Sequence, residues 1–154
     1  MPMEDWLPAL AERLAGTEGI EAVYYPGTDE AAALPGALSV YPCIVIMPQR
    51  GGEDELRAGF NISSTEVQLT LYVTEQILTE AYAVAIPFVG RIKRKIVGKM
   101  KLGLAEIHHV LPYPIGANQR WWEGPGSIPY NQVPHLGITF RVVVKEQETT
   151  TVAA

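Results

Sequence analysis

Three histidines, one cysteine and one acidic triplet are the residues of this 154-residue chain best suited to chemistry. His108 and His109 are adjacent in a stretch that reads as a strand. Neighbouring strand residues point to opposite faces, so the pair is expected not to chelate one metal side by side. No cysteine pair accompanies them or His135. Glu53, Asp54 and Glu55 are the residue types a metal-dependent nuclease uses. They lie in QRGGEDELRAG, flanked by glycines and without an acidic strand position paired to a lysine, which reads as a solvated hairpin tip. Cys43 sits in the apolar run CIVIM and reads as a small buried hydrophobe. No phosphate-binding glycine loop, dinucleotide fingerprint, zinc-protease motif or nucleophile elbow is present. Nothing assembles a nucleophile, a base and an orienting group, so neither enzyme activity nor a metal or cofactor is expected.

Residues suited to contact are easier to find. GRIKRKIVGKMKLG, from Gly90 to Gly103, holds Arg91, Lys93, Arg94, Lys95, Lys99 and Lys101, six of the twelve basic residues. Around it, TEAYAVAIPFVGRIKRKIVGKM has helical periodicity. Ala81, Ala85, Phe88, Val89, Ile92, Ile96 and Met100 share one side, leaving Arg91, Arg94, Lys95 and Lys101 on the other. Four readings fit such a face: a solvated surface with bases near the helix C-terminus, an acidic surface on a neighbouring subunit, nucleic acid, or a membrane. Aromatic residues are not interleaved with the bases, which disfavours nucleic acid. The apolar side is needed for a core, which disfavours a membrane. A second candidate is RWWEGPG, with Arg120, Trp121 and Trp122. Either one tryptophan plugs the core edge, or the pair anchors a protein interface.

The charge balance narrows the partner. The formal net charge is −5. Residues 1–80 carry thirteen acids and three bases, and residues 81–154 carry four acids and nine bases. Such a dipolar molecule suits head-to-tail assembly better than binding to a polyanion, which would also meet the acidic half.

These residues need elements to hold them. The length is that of one domain, 1–154, with a polar, flexible tail expected from about residue 147. MEDWLPALAERLAG places Trp6, Leu7, Leu10 and Leu14 on one helix face. IEAVYY is a short strand. YPCIVIMP reads as a buried strand, and TEVQLTLYV alternates cleanly. In the latter Val67, Leu69, Leu71 and Val73 face a core, with Glu66, Gln68, Thr70 and Tyr72 on a wet face. The two strands form a long hairpin. Pro87 is expected to kink the second helix or to begin a new one. AEIHHVLPY and HLGITFRVVVKEQ are two further strands, separated by about twenty Pro- and Gly-rich residues that read as a loop. The pattern is α+β: a mostly antiparallel sheet with a long hairpin and two helices packed on one face. The N-terminus lacks the positive region of a secretory signal and no apolar run approaches a membrane span, so the cytoplasm is the default compartment.

The order of these elements over residues 3–146 resembles the tail-terminator (tail-completion, or tail-to-head joining) proteins of long-tailed bacteriophages. The likeness rests on the opening helix MEDWLPALAERLAG, the paired strands YPCIVIMP and TEVQLTLYV with their polar tip, the helix after TEQILTE, and the closing strand ITFRVVVKE. It implies a structural virion protein at the head-proximal end of the tail, assembled in the host cytoplasm. It implies a homo-hexameric ring that caps the tail tube and joins the head–tail connector, with genome DNA passing through without sequence-specific binding. The interface would then involve Arg91, Arg94, Lys95, Lys101, Arg120, Trp121, Trp122, Glu53, Asp54 and Glu55, with the basic helix facing acidic residues of the next subunit or partner. Two alternatives stay open: another neck or tail-tube component of similar fold, or a small ligand-binding or enzyme domain with a pocket at the tryptophan loop.

Overall fold

The computed structural model describes residues 3–26, 34–57, 60–74, 79–98, 107–112 and 121–148. Helix α1 spans Met3–Ala15, followed by strand β1 (Ala22–Tyr24). Strands β2 (Cys43–Arg57) and β3 (Phe60–Thr74) form a long hairpin. Helix α2 (Thr79–Gly98), β4 (Ile107–Pro112), β5 (Trp122–Tyr130) and β6 (Val133–Glu148) complete the chain. The architecture is α+β, with one six-stranded sheet ordered β1-β2-β3-β6-β4 and β5 also paired to β6. Every pairing is antiparallel except β1 with β2.

Both helices cover the same face of the sheet. Trp6, Leu10 and Leu14 of α1 and Ala85, Phe88, Ile92 and Ile96 of α2 are buried against Ile44, Ile46, Val67, Leu69, Leu71, Ile138, Phe140 and Val142. Each fully buried aliphatic side chain contributes about 1.5–3 kcal/mol relative to exposure. The Trp6 indole N–H donates to the buried Glu146 carboxylate at 2.6 Å, tying the first helix to the last strand. Helix α2 is continuous through Pro87. Pro87 and Ala83 are both exposed, so the Ala83 carbonyl that lacks a partner N–H faces solvent.

Three expectations need correction. The polar stretch around Glu53, expected as the tip of the hairpin, is itself strand: β2 and β3 run to Arg57 and from Phe60, with register shifts between Pro48 and Arg50 and between Glu53 and Glu55. That polar backbone stays paired because β6 continues beside β3 as far as Asn61 opposite Glu148. The twenty-residue connection contains β5, which meets β6 through Asn131 and Gln132 with φ of 50° and 74°. Positive φ at both central residues is the hairpin geometry that follows the strand twist. Pro125 and Pro129 are tolerated because β5 is an edge strand, where a missing donor costs little. Finally, the second face of β3 is not uniformly wet. Thr70 and Tyr72 are buried, the latter with Leu38, Cys43 and Val45 in a smaller cluster.

Strands β4 and β5 lie end to end along β6. Pro112 pairs with Val142 and Trp122 with Phe140. The chain therefore leaves the edge and rejoins it two rungs further on. The Arg141 amide donates to the Trp121 carbonyl at 2.7 Å, which extends the ladder by one residue. Strand β6 also takes in residues 147 and 148, where the tail was expected to begin. Residues 149–154 lie outside the described residues.

Candidate interaction surface

The basic residues of α2 divide into two kinds. Arg91 and Lys95 are half-buried beside the end of α1. The Arg91 guanidinium donates to the Glu18 carbonyl at 3.3 Å and lies 5.0 Å from the Phe88 ring centroid. The Lys95 ammonium sits 3.3 Å from where a Cβ on Gly16 would be, and the Lys95 carbonyl accepts from Arg13 Nε at 3.1 Å. Two cations thus face the C-terminal end of α1, where the helix dipole is negative. Gly19 makes this approach possible. Its φ is 89°, and a Cβ there would meet Phe88 at 3.0 Å and Arg91 at 3.2 Å.

Lys93 and Arg94 are exposed. Among the described residues neither has an ion-pair partner. Ahead of them, Val84 is 54% and Ile86 61% exposed. The helix therefore presents an apolar turn followed by a basic one. Lys101 and Arg120 lie outside the described residues.

The acidic triplet is placed by its backbone in β2, with Glu53 opposite Ser63 and Glu55 opposite Ile62. Nearby, Arg50 pairs with Glu66 at 3.0 Å. His109 pairs with Lys145, and a register shift between Ile107 and His109 interrupts the alternation expected to separate His108 from His109. Among the described residues no three His, Cys, Asp or Glu side chains converge as a metal site.

The tryptophans also divide. Trp121 packs on the core with its ring 5.9 Å from Phe140, whereas Trp122 is 38% exposed at the start of β5. Glu123 beside it reaches Arg141 at 4.0 Å, a surface pair of small energetic weight.

A cluster not foreseen from the sequence lies under residues 34–42. Tyr72 contacts Tyr130 and His135 edge-on, and its hydroxyl donates to the Pro129 carbonyl at 3.1 Å. The Tyr41 hydroxyl donates to the Leu38 carbonyl at 3.0 Å and meets His135 Nδ1 at 3.3 Å. Tyr130 donates to the Pro35 carbonyl, and Asn131 to the Gly36 carbonyl at 2.7 Å. Burial pushes the Cys43 thiol up to about 12. Burial, with smaller contributions from Cys43 and Tyr130, likewise pushes the Tyr72 phenol up to about 12. These shifts mark inert, packed groups at neutral pH. The only sequence signal was the even-numbered position of Tyr72 on a strand otherwise read as wet on that side.

No protein-family model matches the chain, and no curated protein matches it either.

Proposed function

We propose that this chain is a structural virion protein: a tail terminator that closes into a ring on a phage tail tube and joins it to the head connector. The reading is supported by the order of its elements: an opening helix, a long polar-tipped hairpin, a second helix and a closing strand. The observation that carries it is the separation of charge between two elements of one small α+β domain. Exposed bases, Lys93 and Arg94, without an ion-pair partner among the described residues stand on α2, and an acidic triplet stands in the far half of the β2–β3 hairpin. A closed cyclic ring joined head to tail requires two different, complementary patches on each subunit. In this reading Trp122, on the sheet edge, belongs to the surface offered to the tube or the connector.

The test is mass by light scattering across protein concentration. A plateau at about six subunits is expected. Continued growth into long stacks would refute capping and indicate a tube component instead.

A further inference from the structure

We propose that the sheet continues from one copy of this chain to the next, with β4 of one copy adding antiparallel to the outer edge of β2, at Gly51 and Gly52, of a second copy. The proposal rests on the ring reading for closure. The two strands that meet are chosen by the backbone pairing alone.

Strand β1 pairs with β2 only from Cys43 to Val45, and among the described residues no strand lies beside the rest of β2 on that side. At the opposite edge, β4 pairs only with β6 among the described residues. An edge strand presents a row of backbone N–H and C=O groups that an added strand satisfies. Much of each edge is blunted against such pairing. Register shifts between Pro48 and Arg50 and between Glu53 and Glu55 interrupt β2, and one between Ile107 and His109 interrupts β4, which ends at Pro112. The stretches left regular are Arg50 to Glu53 and His109 to Pro112. The first contains Gly51 and Gly52. A Cβ at Gly52 would meet nothing within 4 Å, so packing within this chain does not require a glycine there. Glycine inside a strand marks a place where another backbone approaches closely.

Level and direction select a second copy as the occupant. Across the ladder, Gly52 is joined through Ser64 and Lys145 to His109, and Gly51 through Thr65 and Val144 to Val110. Arg50 is joined in the same way through Glu66 and Val143 to Leu111. The two regular stretches therefore lie on the same rungs. A closed ring has no rise from copy to copy, so strands along its axis stay level. The pairings of β2 with β3, β3 with β6 and β6 with β4 are each antiparallel, so β4 runs opposite to β2. Adding it to the next copy's β2 keeps the alternation. Helix α2 lies against β4, so the basic element travels with one edge and the acidic triplet with the other. Each copy thus offers two different, complementary edges, as head-to-tail closure requires.

Gly52→Cys and His109→Cys test this by disulfide formation under mild oxidation, the native Cys43 being buried. A disulfide needs Cα atoms about 4.4–6.8 Å apart, which directly opposed strand residues satisfy. We expect the two variants, mixed, to give a dimer linked between positions 52 and 109 about tenfold or more faster than either links to Ala15→Cys, an exposed position on α1. The double variant should give a linked ladder that ends near about six subunits. Circular dichroism and thermal midpoint check each fold, and Arg50→Cys with Leu111→Cys repeats the test on a neighbouring rung. Linkage of either variant to itself as fast as in the mixture would overturn the proposal, as would no linkage above the Ala15→Cys control at both rungs. Either result, with the wild type still forming rings, leaves the ring reading intact. A wild type that stays monomeric at every concentration would overturn both.

Discussion

Removing the contact between Trp6 and Glu146 should be among the most damaging single changes to this fold. The two residues are 140 positions apart, fully and almost fully buried, and joined by a 2.6 Å bond from an indole N–H to a carboxylate. A hydrogen bond to a charged group contributes about 1.5–3 kcal/mol, and a buried donor left unpaired costs about 1–3 kcal/mol. Glu146→Ala removes the acceptor and leaves the indole N–H buried, so we expect a loss of about 2–4 kcal/mol. At about 2–4 °C per kcal/mol for a chain of this size, a mid-range loss lowers the thermal midpoint by about 6–12 °C. Glu146→Gln keeps an acceptor oxygen and should lose only about 1 kcal/mol. The assay is urea denaturation of wild type, Glu146→Ala, Glu146→Gln, Trp6→Phe and the Trp6→Phe/Glu146→Gln double variant. Equal losses for Glu146→Ala and Glu146→Gln, or additive effects in the double variant, would refute the reasoning.

Three further outcomes are expected. Arg91→Ala should cost about 0.5–1.5 kcal/mol through its bond to the Glu18 carbonyl and its seat over Phe88, whereas Arg94→Ala should stay within about 0.5 kcal/mol in the same urea assay. Cys43 should resist thiol reagents at pH 8 until the protein unfolds. Cys43 and Tyr72 are neutral when protonated and are raised from 9.0 and 10.0 to about 12 by folding. Their stabilising effect is thus complete below pH 9 and is lost as the pH rises toward 12, which urea midpoints at increasing pH will show. Gly137→Ala should cost about 1–3 kcal/mol on thermal denaturation, since the added carbon would lie 2.6 Å from the Leu71 carbonyl oxygen between β3 and β6.

The helices were legible because each has one partner surface and a single period. Trp6, Leu10 and Leu14, and likewise Ala85, Phe88, Ile92 and Ile96, all face the core as their spacing requires. Val67, Leu69, Leu71 and Val73 were legible for the same reason. Tyr72 was not, because residues 34–42 cover only one end of the second sheet face and strand alternation carries no trace of a distant covering segment. Strand β5 was hidden by Pro125, Pro129 and two glycines, which signal a loop unless the strand is known to lie at an edge. Within the basic stretch, residue type could not separate Arg91 and Lys95 from Arg94. That division depends on where α1 ends in space. Reversing Arg91 and Lys95 would therefore disturb packing as well as any contact, and charge reversal is best confined to Lys93 and Arg94.

Electron microscopy of the assembled protein, with class averages scored for rotational symmetry, addresses the central claim most directly. Closed single rings with about six-fold symmetry are predicted. Open stacks or tubes would contradict it, because subunits that keep adding along an axis cannot terminate one.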